Sequence, residues 1–339
     1  MRKISSIIVI LCVFAFCLTG CSDVDYQALS DSLSELPEAN PILEAAPVPD
    51  ASPIPTASDI PSEPKPIACA ANMEDVAVLY DDGTVKTGTG CDEHKDWEGV
   101  IDIEGTLYGF IGLKNDGTVI CSDYRDEDAE EWQDVVAISA YPTFRNHENA
   151  ALTANGKVFV DATIGDPCKD AEEWEDIVQI DVGGNHIVGL KADGTVVAAG
   201  KNDHDECAVN NWKDIVCVAA SGGYTVGVQA DGHVLVAGGG SEDLACSQYI
   251  DEIRAWTDIE SVNADVQHCV GKKKDGTFII ASSGEYQYDV DQWHDIVDYE
   301  CGLYKIIAIG KDGSVYVSGN PVNGGVTAYG YGFPFYDPE

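Results

Sequence analysis

The residues able to do chemistry are plentiful here, and their spacing argues against most of it. Of twelve cysteines, Cys12 and Cys17 lie in the N-terminal apolar stretch and Cys21 just behind it. Nine remain: Cys69, Cys91, Cys121, Cys168, Cys207, Cys217, Cys246, Cys269 and Cys301. An odd number with no C-x-x-C pair gives little support to a zinc site or thioredoxin-like chemistry, and any disulfide pairs cannot be assigned from spacing. Cys91, Cys168 and Cys207 stand five or six residues before Trp97, Trp174 and Trp212, which reads as one buried, weakly polar register. His186 and His268 each follow a tryptophan by 12 residues, and Tyr224 holds the same place after Trp212. A position that recurs in this way is expected to hydrogen-bond a neighbouring repeat rather than hold a metal or move protons. The acid runs Asp126-Glu127-Asp128 with Glu130-Glu131, and Asp203-His204-Asp205-Glu206, offer oxygen ligands but lack the spaced carboxylates and sixth-position glycine of a calcium loop. No Gly-x-Ser-x-Gly, phosphate loop or dinucleotide fingerprint is present. The reading is of a non-enzyme with no catalytic residue, metal or cofactor.

What must be positioned is therefore a surface, and the chain is organised to build one. An Asp-Gly or Asn-Gly turn followed by a short β-rich run occurs seven times, with its glycine at Gly83, Gly117, Gly156, Gly194, Gly232, Gly276 and Gly313. One of the six tryptophans, Trp97, Trp132, Trp174, Trp212, Trp256 and Trp293, falls in each gap. From tryptophan to the next turn glycine the distance is 20 residues in five cases and 24 for Trp132, whereas from glycine to the next tryptophan it ranges from 14 to 24. Indels thus gather in one half of the repeat, as they do in surface loops. The period of (313 − 83)/6, or about 38 residues, fits a propeller blade or a solenoid unit. Gly, Val, Ile and Thr dominate and helical apolar spacing is missing, so the repeats are strands, with the glycine turn closing a hairpin.

The formal charge is −40, and without Arg2 and Lys3 it is 17 − 59 = −42. Nucleic acid is excluded as a partner, because no cluster of Lys and Arg is available to release phosphate counterions. Residues 1–20 combine a basic start, an apolar run from Ile7 to Phe16 and Leu18-Thr19-Gly20, followed by Cys21. This pattern resembles the bacterial lipobox, which implies an exported protein lipidated on Cys21; an ordinary secretory signal would leave no anchor. The apolar run is too short for a transmembrane helix, which needs about 20 residues. Residues 21–66 form a tether in which nine of fourteen prolines crowd between Pro37 and Pro66. About thirty residues of extended polyproline would reach on the order of 90 Å.

From 67 to 339 the elements Trp-x-Asp-Ile-Val, His-x-Val-Gly-Leu and Lys-x-Asp-Gly-Thr-Val resemble the regulator of chromosome condensation repeat family. That resemblance implies an all-β, seven-bladed propeller. The first copy lacks its tryptophan and the last ends in Tyr329, Tyr331, Phe333, Phe335 and Tyr336, so that C-terminal segment is expected to close the ring. In compartment and repeat style the chain is similar to secreted propellers that inhibit β-lactamases, which implies a loop face used to bind protein. The two longest departures from the repeat hold Tyr141, Phe144 and Arg145, and Tyr249 and Arg254, residue types that anchor interfaces. The expected function is a lipid-anchored interaction module outside the cytoplasm that binds an extracellular or envelope protein through this rim. A module for glycan or another small ligand in a central channel, or an inhibitor of a secreted enzyme, is the alternative.

Overall fold

A computed structural model describes residues 64–72, 75–88, 97–107, 109–122, 129–141, 149–161, 166–240, 245–283, 288–302 and 305–319. The leader, Cys21, the tether as far as residue 63 and the aromatic segment from Tyr329 lie outside the described residues, and with them the closure assigned to that segment.

The described chain forms seven antiparallel sheets of three strands each, taken in sequence order. The first strands are Pro66–Ala71, Val100–Gly105, Val135–Ala140, Ile177–Val182, Ile215–Ala220, Ile259–Ala264 and Ile296–Gly302. The middle strands are Val76–Tyr80, Phe110–Lys114, Asn149–Thr153, His186–Lys191, Tyr224–Gln229, His268–Lys273 and Lys305–Gly310. The outer strands are Val85–Thr87, Val119–Cys121, Val158–Asp161, Val196–Gly200, Val234–Gly238, Phe278–Ser282 and Val315–Gly319. Each first strand packs against the first strand of the next sheet, and the seventh packs against the first. The sheets are therefore blades of a closed wheel, with the first strands innermost.

The glycine turns serve two purposes. In blade four the Gly194 N–H donates to the Lys191 carbonyl at 2.9 Å and the Lys191 N–H to the Thr195 carbonyl at 2.8 Å, with Gly194 at φ +80°. The Asp193 carboxylate accepts the Thr195 N–H and hydroxyl at 2.9 and 2.6 Å. The left-handed φ favours glycine, and so does the neighbour. A Cβ on Gly194 would lie 3.4 Å from the Asp214 backbone of blade five, whose Ile215 N–H donates to the Gly194 carbonyl at 3.0 Å. The same bond joins Val135 to Gly117, Ile177 to Gly156 and Ile259 to Gly232.

Each indole has a seat inside its own blade. A Cβ on Gly112, Gly189, Gly227 or Gly271 would come within 2.6–2.9 Å of Trp97, Trp174, Trp212 or Trp256, so the absent side chain lets the ring lie flat on the middle strand. Blades three and seven carry Ala151 and Ala308 at this register, and blade one, which has no tryptophan, carries Val78. The aliphatic side chain occupies the register that the other blades leave small for the ring.

Two residues after the tryptophan, Asp134, Asp176, Asp214, Asp258 and Asp295 turn the chain through positive φ, a region that aspartate tolerates better than most residues. The ladder then skips one residue, at the fourth position after the tryptophan, as between Ile177 and Gln179. This bulge leaves Ile101, Val136 and Val297 exposed.

The wheel closes through blades one and seven. Cys69, Ala71, Val76 and Val78 pack with Ile307, Ile309 and Val315. The Cys69 N–H donates to Asp298 Oδ2 at 3.0 Å, and Lys305 Nζ to the Asp75 carbonyl at 3.2 Å.

Candidate functional site

An inner strand is an edge strand, so one side of it has no partner within its own sheet. Here polar side chains of the preceding blade supply what the missing strand would. The Gln179 amide pairs with Val218 in both directions, its Nε2 donating to the carbonyl at 3.0 Å and its Oε1 accepting the N–H at 3.1 Å. Asp181 Oδ2 accepts the Ala220 N–H at 2.7 Å, and the Ser139 hydroxyl oxygen accepts the Val182 N–H at 3.0 Å. Between blades six and seven, Ser261 meets the Tyr299 hydroxyl at 2.8 Å and Asn263 Nδ2 donates to Glu300 Oε1 at 2.9 Å. These residues stand five or seven positions after the tryptophan, where an alternating strand turns toward the next blade.

They also line a cavity of about 90 Å³ among the inner strands, bounded by Glu104, Asp181, Asp265, Asp298 and Glu300 with Tyr141, Ser139 and Asn263, and by no lysine, arginine or histidine. Burial pushes the Asp181 carboxyl up to about 7, against hydrogen bonds from the Ala220 N–H and the Ser139 hydroxyl that pull it down. Asp265 Oδ1 accepts the N–H groups of Gln267 and His268 at 2.7 and 3.0 Å and lies 3.1 Å from His268 Nδ1. Its Oδ2 is buried and has no partner.

At the end of the cavity where the inner strands finish, the Tyr141 ring lies beside blades four and five. A Cβ on Gly184 would lie 3.1 Å from its Cε1, and one on Gly222 3.4 Å from its hydroxyl. The Tyr141 hydroxyl is buried beside the Ser221 hydroxyl, which itself donates to the Asp265 carbonyl at 2.6 Å. Burial, and then the Asp265 charge, raise the Tyr141 phenol well above its ordinary value.

The registered histidines join structural elements. The Thr225 hydroxyl donates to the Glu206 carbonyl, so at 2.8 Å it accepts from His186 Nε2–H across the blade boundary. Burial lowers His186 to about 4, so it stays neutral. His268 meets the Tyr288 hydroxyl at 3.0 Å through Nδ1. Lys305, 12 residues after Trp293, shares this register and was missed in the sequence. Burial raises Cys217 to about 12 and Cys207 and Cys246 to about 11, far from the thiolate chemistry of a nucleophile. Among the described residues no three His, Cys, Asp or Glu side chains are grouped to hold a metal ion.

Of the five residues nominated from sequence, the three that are described do not gather on one rim. Phe144 and Arg145 lie outside the described residues. Tyr141 is buried at the cavity, 5% exposed, and Tyr249 is 2% exposed, set edge-on to Tyr224 and donating its hydroxyl to the Val266 carbonyl at 3.1 Å. Their rings are inside the wheel and so do not act as exposed anchors. Arg254, closing the short helix Ile250–Arg254, is exposed and meets Asp251 at 3.0 Å.

Seven three-stranded blades in a closed ring define a β-propeller. Residues 177–206, spanning all three strands of the fourth blade and the start of the excursion beyond, match the model of the Regulator of chromosome condensation (RCC1) repeat. The chain is thus a seven-bladed propeller, and its fourth blade matches the RCC1 repeat. Its fold is similar to the CRINKLY WD40 ectodomain of the Arabidopsis thaliana receptor kinase ACR4, at 12% identity and a TM-score of 0.53 over 76% of this chain and 95% of that one. It is also similar to the ectodomain of the Physcomitrella patens receptor kinase CR4, at 14% identity and a TM-score of 0.51 over 76% of this chain and 74% of that one. No curated protein sequence matches it.

Proposed function

We propose that this chain is an exported, non-enzymatic propeller, anchored to the cell membrane by lipid on Cys21, that binds another protein through the excursions between its blades. The observation that carries this reading is where the chain abandons its repeat. Excursions from an outer strand to the next tryptophan differ in length, and they are acidic. The one before blade four exposes Asp170, Glu172 and Glu173 around Lys169, the next exposes Asp203 and Asp205, and the one before blade six exposes Asp251 and Glu252 beside Arg254. Charges of one sign on loops fixed to a rigid wheel favour a basic partner surface and speed its encounter. Among the described residues no helix is long and apolar enough to cross a membrane.

The test is affinity capture of envelope and extracellular proteins by the full chain, comparing Glu172→Lys with Glu173→Lys, Asp251→Lys with Glu252→Lys, and Phe144→Ala with Arg145→Ala and Arg254→Ala. Salt-sensitive capture lost in these variants is expected, and capture unchanged in all of them refutes a role for the excursions. A second contact surface is favoured by Ile101, Val136 and Val297, the exposed large hydrophobics among the described residues, which share one bulge register on the face bearing the glycine turns. Replacing these three with serine separates that surface from the excursions in the same assay.

A further inference from the structure

The bulge at the start of each inner strand leaves one residue per blade outside the hydrogen-bond ladder. Around the wheel these residues are Ile67, Ile101, Val136, Val178, Val216, Glu260 and Val297. Six of the seven are isoleucine or valine. A single aliphatic side chain in water is ordinary, but one that returns blade after blade around an axis makes a patch, and patches mark contact surfaces. Val178 and Val216 are partly covered by the cores of their own blades, whereas Ile101, Val136 and Val297 stand 45%, 50% and 40% exposed. These three belong to blades two, three and seven, and half-buried Ile67 of blade one lies between them. The open part of the ring is therefore a continuous arc over four blades.

The charges around this arc decide what can cover it. Asp82, Asp116 and Asp312 sit at its glycine turns, and each accepts the backbone N–H two residues on at 2.9–3.0 Å. Hydrogen bonds from Thr84, Thr118 and Ser314 hold these three carboxyls below the ordinary carboxylate value, so they stay charged. Asp134 and Asp295, exposed and at positive φ, stand two residues before Val136 and Val297. The lysines of the arc, Lys65, Lys114, Lys157 and Lys311, are fewer than its acids. A second wheel laid face to face would set these aspartates against their own copies. An anionic bilayer would be repelled as well, and so would the tether, which has nine Asp and Glu and no Lys or Arg between residues 22 and 63. Aliphatic side chains carried among bases meet no such barrier.

We propose that the arc of Val297, Ile67, Ile101 and Val136 docks an amphipathic segment of a partner protein whose aliphatic side chains are flanked by lysine or arginine. The partner's aliphatic side chains lie on the bulge residues, and its bases meet the aspartates beside and outside them. Blade six bounds the site, because Glu260 takes the aliphatic place there and meets Lys272 at 3.5 Å. This assignment rests on the second contact surface of the proposed function and not on the acidic excursions.

The experiment is fluorescence anisotropy of a labelled helical peptide of leucine and lysine, titrated with the full chain carrying Cys21→Ser so that no lipid or detergent is needed. Saturable binding is expected, at least tenfold weaker when Ile101, Val136 and Val297 are all replaced by serine. Asp134→Asn with Asp295→Asn should weaken it at least threefold, and asparagine tolerates the left-handed backbone there. Glu172→Gln with Glu173→Gln, on an excursion, should leave it within threefold of the starting protein. All these side chains are exposed or half-exposed, so unchanged melting temperatures are expected and separate lost affinity from lost fold. Binding unchanged in the triple serine variant would overturn the assignment, as would equal affinity for a serine and lysine peptide or for a leucine and glutamate peptide. A dimer in sedimentation that the triple variant lacks would give the arc to a second copy instead. If peptide binding fails while capture of envelope proteins still depends on the three aliphatic residues, the basic partner is refuted and the surface stands. If both are indifferent to those residues, the surface itself is refuted.

Discussion

Trp212 and Gly227 give the sharpest test of how the blades are packed. A Cβ on Gly227 would lie 2.6 Å from Cζ3 and 2.7 Å from Cε3 of the indole, and 3.4 Å from Ile215 Cδ1. Nothing there yields easily, since Trp212 is itself buried. Gly227→Val should therefore cost about 1–3 kcal/mol as overpacking. Trp212→Ala removes the ring and leaves a cavity, at a cost of about 3–5 kcal/mol. Were the two independent, the double variant would lose about 4–8 kcal/mol, the sum of these ranges. The structure says otherwise, because in blade one Val78 stands opposite Cys69 at the register where Gly227 stands opposite Val218, and that blade has no indole. The valine should settle into the space that the ring vacates, so the double variant should be no less stable than Trp212→Ala alone, with a coupling of about 1–3 kcal/mol. Urea midpoints of the four proteins at one pH measure this. Strict additivity would show that the indole and the bare middle strand do not depend on each other.

Other outcomes follow from the inter-blade bonds. The Asp181 carboxyl is raised from 3.8 to about 7, so the folded state keeps a proton that the unfolded chain has released, and stability falls as pH rises between those values. At about 1.4 kcal/mol per unit the ceiling is about 4 kcal/mol, reduced by the water that reaches this partly exposed side chain. His186, lowered from 6.5 to about 4, acts in the opposite sense, adding stability as pH rises from 4 to 6.5. Asp181→Asn should therefore gain on the wild type steadily from pH 4 to 7 in urea titrations, and a difference that does not vary with pH would refute the burial argument. At the seam, Asp298→Ala deprives the buried Cys69 N–H of its acceptor and should cost about 1–3 kcal/mol. Asp298→Asn keeps an oxygen there and should cost less, so equal midpoints for the two would remove that bond from the account.

Much of the wheel could be read from spacing alone. The turn glycines and the tryptophans mark hairpins that are local in sequence, so they leave a periodic trace. That trace also set His186 in its place, since a buried ring that reaches the next blade must recur with the blade. The interior was harder to see. Gln179, Asp181 and Ser261 look like polar faces of ordinary strands until the preceding and following edges are brought together, and Asp265 becomes a site residue only when Tyr141 meets it from three blades away. Tyr141 and Tyr249 misled for a related reason. Tyrosine in a long insertion suits an interface, but the same apolar ring with one hydroxyl also suits a wheel whose Gly184 and Gly222 leave room for it. Lys305 went unnoticed because a charged residue in a register otherwise held by His186, Tyr224 and His268 reads as solvent-facing until its buried contact with blade one is known.

The bond from Cys69 to Asp298 spans 229 residues, whereas each hairpin is finished within a single repeat. A new chain can thus complete six junctions one after another while the flank of blade one, with Cys69, Ala71, Val76 and Val78, stays uncovered until the last blade arrives. During synthesis the molecule is for a time an unfinished arc with one apolar end bare. The final junction converts that arc into a circle and withdraws its most adhesive surface, so a protein halted before blade seven would be prone to stick to its own kind.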